Sequence, residues 1–223
     1  MSVRAVRRYA WAVTRAAERI RYEPGSFCWV GLATSDPAGA GAFYASLSVG
    51  RASAGLGGAA VFRAPFEVLD EGRIAAIRDP LGAILSLWQP QGRPGAGVVN
   101  ELNTLGWIEL VTSDLELSQS FYRGLFGWDY EPADGGCARI RAGGPLGGGM
   151  RLSADGERDA PPAWLPHFAV ESADRAARNA EQSGGRRLAA TMESGIGRLA
   201  ILADPQGARF AVLEAREGIH VAG

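Results

Sequence analysis

Two histidines (His167 and His220), two cysteines (Cys28 and Cys137) and no lysine set the limits of the chemistry open to this 223-residue chain. All 23 basic residues are arginine. Without lysine there is no Schiff base, no P-loop lysine and no Ser-x-x-Lys nucleophile. His220 sits in a polar tail, so a centre built from several histidines is excluded within one chain. Cys28 and Cys137 belong to no Cys-x-x-Cys pair, which removes zinc ribbons and thioredoxin-type redox chemistry. They read as buried thiols in a reducing compartment, and a cytoplasmic location is expected. Neither Gly-x-Ser-x-Gly nor His-Glu-x-x-His occurs. Carboxylates, arginines and a single histidine, His167, are what remains for acid–base work or ligand recognition.

The elements that must position these groups are legible from an internal repeat. Residues 28–47 align without gaps to residues 106–125, matching Trp29 with Trp107, Thr34-Ser35-Asp36 with Thr112-Ser113-Asp114, and Phe43-Tyr44 with Phe121-Tyr122. A second block pairs Gly57-Gly58 with Gly184-Gly185, Gly72-Arg73 with Gly197-Arg198, and Asp79-Pro80-Leu81-Gly82 with Asp204-Pro205-Gln206-Gly207. The first offset is 107 − 29 = 78 and the second is 204 − 79 = 125, so the first copy is shortened by 47 residues between Leu47 and Gly57.

Within the second copy, residues 107–112 read as a strand with Trp107, Glu109 and Val111 on one face and Ile108 and Leu110 on the other. Ser113 or Asp114 caps a helix whose expected buried face is Leu115, Ser118, Phe121, Tyr122 and Leu125, and Gly127 ends it. A strand over 164–170, an Ala-rich helix over 174–183 stopped by Gly184-Gly185, and strands over 199–202 and 209–213 follow. The last two flank the Asp204–Gly207 turn. The glycine run 143–149 lacks dinucleotide spacing and reads as a hairpin turn into a close-packed strand at 150–152. Ahead of all this, Val3, Val6, Ala10, Val13, Ala17 and Ile20 form one face of an arginine-decorated helix over 1–22, ended by Pro24-Gly25.

The strand–Asp–helix opening that closes on Phe121-Tyr122-x-x-Leu125-Phe126-Gly127-Trp128, the Gly-Gly before a strand and the Asp-Pro-x-Gly hairpin resemble the vicinal oxygen chelate superfamily. That superfamily holds glyoxalase I, extradiol dioxygenases and bleomycin-resistance proteins. Asn100-Glu101 between the copies and the Trp107-x-Glu109-Leu110 strand look most like its two-domain actinobacterial members, often labelled glyoxalase-like or hydroxylase-like. The resemblance covers roughly residues 26–215. It implies an α+β fold of βαβββ modules forming curved sheets: one complete pair in the carboxy-terminal part and one hybrid module before it, with an opening strand and helix over 27–47 and closing strands over 59–62, 73–78 and 83–88. The expected division is an amphipathic helix over 1–25, a shortened module over 26–98 and a complete domain over 99–223.

By the same resemblance, a divalent metal would be held from the opening strand, at Trp29 or Trp107, from the strand before the second helix, at Leu165, and from the last strand, at Ser86 or Ala211. Trp, Leu and Ala offer no suitable lone pair and Ser at best a weak one, so no metal and no other cofactor is expected. Glu109 lies two residues past Trp107 and His167 two past Leu165, which puts both on the surface the metal would occupy. They are the candidate catalytic pair, or else a hydrogen-bonded polar residue and a satisfied wall histidine. Trp107, Trp128, Met150, Trp164, Leu165 and Ala211 are the candidate ligand-binding set, suited to a flat molecule.

A net charge of −1, with 47% hydrophobic and 21% charged residues, fits a chain that buries a real core and has no field to draw nucleic acid or an anionic membrane. No run of about 18 apolar residues is present to span a bilayer. The expected partners are a small molecule and, to cover the half-module's sheet edge, a second copy of the chain in a homodimer. Three readings of function stay open: a metal-free binder of a small, mainly apolar molecule with sequestration or modest acid–base chemistry, a metal-dependent lyase or dioxygenase, and a dimerising interaction protein.

Overall fold

The computed structural model describes residues 22–28, 30, 66–133, 135–144, 147–157 and 160–216. The expected amino-terminal helix, the helix of the first copy, the strand over 59–62, Trp29 and His220 fall outside that set. What is described of the first copy is a three-stranded antiparallel sheet, β1 (Phe66–Val68), β2 (Gly72–Arg78) and β3 (Ile84–Pro90), in the order β1-β2-β3. The two longer strands correspond to those expected over 73–78 and 83–88.

The second copy forms an α+β unit. Its first half runs β4 (Leu105–Thr112), α1 (Leu115–Phe126), β5 (Asp129–Ala133), β6 (Cys137–Arg141) and β7 (Gly148–Leu152). Its second half repeats that scheme with β8 (Ala163–Ala169), α2 (Ala173–Gln182), the short β9 (Arg186–Arg187) and β10 (Met192–Ser194), then β11 (Gly197–Ala203) and β12 (Arg209–Ala215). The strands make one sheet in the order β10-β11-β12-β8-β4-β7-β6-β5, with β9 added on β11. At its centre the two opening strands, β4 and β8, pair antiparallel. Each is flanked by the last strand of its own half running parallel to it, β7 on β4 and β12 on β8.

Local chemistry sets the ends of α1. The Asp114 carboxylate accepts the Leu117 N–H at 3.0 Å, satisfying one of the free donors of the first turn. Gly127 then turns left-handed at φ 73° and donates its N–H to the Arg123 carbonyl, a conformation costly for other residues. The helix packs through a narrower stripe than its periodicity suggests. Ser118 and Tyr122 are buried, but Leu125 is 44% exposed. The next residue, Phe126, takes up the contact instead, lying 6.2 Å from the Tyr122 ring and 4.9 Å from Trp128.

Three apolar clusters form among the described residues. One lies under α2, where Ala173, Ala176, Ala177 and Ala180 meet Leu202, Phe210 and Val212. Small side chains let that helix sit close to the strands. A second lies under α1 and gathers Tyr122 and Trp128 with Ile108, Leu110, Ile140, Met150 and partly buried Trp164. The third lines the opposite, concave face: Trp107, Val111, Leu165, Leu199, Ile201, Ala211 and Leu213.

A polar linkage ties the small sheet to the large one. In both Asp-Pro-x-Gly turns one carboxylate oxygen accepts two backbone N–H groups, from Leu81 and Ala83 at Asp79 and from Gln206 and Ala208 at Asp204. The second oxygen of Asp79 accepts the Tyr122 hydroxyl at 3.1 Å, and Tyr122 accepts the Trp164 indole N–H at 3.0 Å. Ala83 and Leu85 of the first copy pack into the cluster under α1 beside these groups.

Candidate functional site

Strand alternation brings the site together. On β4, Trp107, Glu109 and Val111 point to the concave face while Ile108 and Leu110 point to α1, as the period-two pattern requires. Trp107 lies opposite His167 of β8, and Glu109 opposite Leu165. A cavity of about 150 Å³ opens on this face. Its lining includes Trp107, Glu109, Gly149, Arg151 and His167, with Cys137 and Arg139 from β6 and Met192, Ile196 and Leu199 from the β10–β11 side. A volume of that order is what an engineered apolar cavity needs to hold a benzene ring.

Gly149 makes the room. Any Cβ at that position would stand 2.9 Å from Cζ2 of Trp107 and 3.3 Å from the Ala138 carbonyl, so only glycine lets the indole lie across β7. The expected close-packed strand after the glycine run is thus present, and its function is to admit Trp107.

The polar groups of the cavity divide into a charge-balanced set and an unpartnered set. Arg151 donates from Nε to Glu109 at 2.9 Å and from both terminal nitrogens to Glu157. Arg209 donates to the same Glu157 at 2.9 Å. Two carboxylates and two guanidiniums therefore neutralise one another. The Glu109 side chain is only 14% exposed, and desolvation pushes its proton affinity above the ordinary carboxylate range against the pull of Arg151. For Arg151 the same neighbours more than offset its own burial, and its protonated form is held firmly.

His167 is fully buried, and desolvation, reinforced by the Arg151 charge, depresses its pKa to about 3. It is a neutral imidazole at physiological pH. Its Nε2 lies 3.7 Å from Glu109 Oε2, which is close apposition without a hydrogen bond or a true ion pair. Neither ring nitrogen, nor Nε1 of the buried Trp107, has a hydrogen-bond partner among the described residues.

Of the residues expected to act, Glu109 and His167 do meet in the cavity, and Trp107 forms its wall. Leu165 and Ala211 belong to the same concave-face cluster. Met150 borders the cavity, although its side chain belongs to the cluster under α1. Trp128 and Trp164 do not reach the cavity. They lie on the other side of the sheet, 5.9 Å apart, because position 164 has the opposite parity to Leu165 and Trp128 follows α1 into its own core. The network of Arg151, Glu157 and Arg209 was not anticipated. Only the parity of Arg151 with Gly149 on β7 could have signalled it, since Glu157 comes from an isolated helical turn, Asp155–Glu157.

Three of the metal positions implied by the resemblance, Trp107, Leu165 and Ala211, carry indole or hydrocarbon. Trp107, Leu165 and Ala211 contact one another's neighbours in one apolar cluster. An indole N–H only donates, so Trp107 cannot serve as a ligand either. Ser86 lies on β3, in the other sheet. Among the described residues no three His, Cys, Asp or Glu side chains come together to hold a cation. The described residues at these positions do not fit a divalent metal.

Residues 107–213 match the family described as a Glyoxalase-like domain, which supports the assignment of this part of the chain to the vicinal oxygen chelate superfamily. Among curated relatives it is 38% identical over 164 residues to CFP32 of Mycobacterium bovis and Mycobacterium tuberculosis, a proposed glyoxylase. That alignment takes in 71% of this chain and 62% of the relative. It is 34% identical over 167 residues to the anthracycline biosynthesis protein DnrV of Streptomyces peucetius, over 72% of this chain and 59% of that one. The chain thus spans about three-fifths of the length of the curated relatives it matches. Among solved structures, the Mn(II)-bound glyoxalase from Novosphingobium aromaticivorans aligns at 11% identity and a TM-score of 0.46, over 68% of this chain and 52% of that one. No helix among the described residues is long and apolar enough to cross a membrane.

Proposed function

We propose that this glyoxalase-like domain works without a metal and binds a small, mainly apolar molecule in the concave cavity beside Trp107. The observation that carries this reading is the apolar cluster of Trp107, Leu165 and Ala211 at the positions where the superfamily resemblance calls for ligands. Filling them with hydrocarbon and indole removes the Lewis acid and leaves a pocket that favours apolar surface. The kinship with an anthracycline biosynthesis protein accords with a flat, ring-bearing ligand, of which a cavity of this size takes one ring. The test is elemental analysis of the purified chain after incubation with Zn, Mn, Ni or Fe(II), followed by titration with single-ring compounds. The expected result is no stoichiometric metal together with saturable ring binding; one tightly held metal per chain overturns the reading.

A second reading, proton transfer on the bound molecule, is favoured by the raised proton affinity of Glu109 beside a neutral imidazole. Deuterium exchange at the carbon next to a ketone, lost in Glu109→Gln, is the result expected for it. Exchange at the same rate in the variant removes it.

A further inference from the structure

We propose that the molecule bound in this cavity is uncharged, and that it presents a carbonyl-type acceptor to Trp107 and a hydroxyl or N–H group to His167. The inference rests on the cavity-binding reading above and adds the chemistry of the ligand. Trp107 Nε1 can only donate, and it is buried without a partner. His167 is neutral and fully buried, so one ring nitrogen donates and the other accepts; both lack partners. A buried polar atom left unpaired costs free energy, so three such atoms on two residues that line one cavity point to the polar pattern of what fills it.

The surrounding charges define the ligand's charge. Glu109 and Glu157 are matched by Arg151 and Arg209. A ligand carboxylate would bring a second anion beside Glu109 with no free guanidinium hydrogen-bonding face aimed at it from Arg151, whose nitrogens all donate elsewhere. A ligand cation would meet Arg151 behind an imidazole that carries no charge. The remaining cation of the lining, Arg139, is exposed to solvent, so either ion placed beside Glu109 and His167 would be buried without a dedicated partner.

The experiment is calorimetric titration of the full chain at pH 7.5 with three kinds of probe: the ortho, meta and para hydroxyacetophenones, ethylbenzene, and 4-hydroxybenzoate. At least one hydroxyketone is expected to bind about tenfold or more tightly than ethylbenzene, and the benzoate at least about tenfold more weakly than that hydroxyketone. Trp107→Phe and His167→Met, each checked for a cooperative melt, should bring hydroxyketone and hydrocarbon within about twofold of each other. Two variants are used so that a folding failure in one leaves the other to decide. Equal binding of ethylbenzene and every hydroxyketone by the natural protein overturns the polar pattern while the cavity reading stands. Benzoate binding as tight as the best hydroxyketone overturns the exclusion of charge. Failure of all the probes to bind overturns the cavity reading and this inference with it.

Discussion

Replacing His167 with Met turns the buried imidazole into a measurable acid-stability term. The folded protein holds His167 neutral with a pKa of about 3, whereas an unfolded chain has the ordinary value near 6.5. Below pH 6.5 the unfolded state therefore takes up a proton that the folded state refuses. Stability falls by about 1.4 kcal/mol for each pH unit down to the folded value. Between pH 7.5 and 4.5 this amounts to about 3 kcal/mol for the natural protein and nothing for the thioether, which has a similar volume and adapts to irregular space. Glu109 works with the opposite sign: its raised folded pKa stabilises below the ordinary carboxylate value and is lost as pH climbs through the folded one. Because Glu109 is common to both proteins, it largely cancels when they are compared. The assay is urea unfolding of natural and His167→Met protein at both pH values. The variant should be at least as stable at pH 7.5, since an orphaned polar group has gone, and should gain about 3 kcal/mol on the natural protein at pH 4.5. A gap that is the same at both pH values would refute the claim that His167 is buried and neutral.

Other perturbations probe other parts of the site. Gly149→Ala drives a methyl into the Trp107 indole and the Ala138 carbonyl, and should cost about 1–3 kcal/mol in thermal melting while weakening ring binding more than tenfold. Tyr122→Phe leaves the second oxygen of Asp79 without its donor and Trp164 without its acceptor; a loss of about 1–3 kcal/mol is expected, with faster amide exchange at Leu81 and Ala83. Arg151→Met strands Glu109 in a poorly solvated site and leaves Glu157 to Arg209 alone, so unfolding should become easier by about 3–5 kcal/mol at pH 7.5 and less so as acid neutralises the carboxylates.

The concave face was legible where strand parity alone decides. Trp107, Glu109 and Val111 alternate against Ile108 and Leu110, and that alternation, set on the ligand positions the resemblance implies at Trp107 and Leu165, is what brought Glu109 and His167 to one surface. Trp164 obeys the same rule: its neighbour Leu165 belongs to the concave-face cluster, and that obliges Trp164 to face α1. Trp128 carried no parity signal at all, being the first residue after a helix cap. Leu125 has the right helical spacing, but Phe126 offers more surface one position on, and packing chose the larger ring. The salt-bridge network was hidden for another reason. Glu157 reaches Arg151 and Arg209 from a loop, and no periodicity links residues brought together across β7, β12 and a single helical turn.

The antiparallel pairing of β4 with β8 has an ancestry encoded in it. Glu109 stands five residues before the Asp114 cap and His167 five before the Ser172 cap, so the two are the same position of a duplicated module. Had the halves been identical subunits, a glutamate at this place would have faced its own image, and two carboxylates at this separation would repel in a site with little water. Fusing the halves into one polypeptide released each position from copying the other. An acid and an imidazole, or an indole at 107 and an isobutyl group at 165, are combinations open only to a gene that carries both halves in tandem.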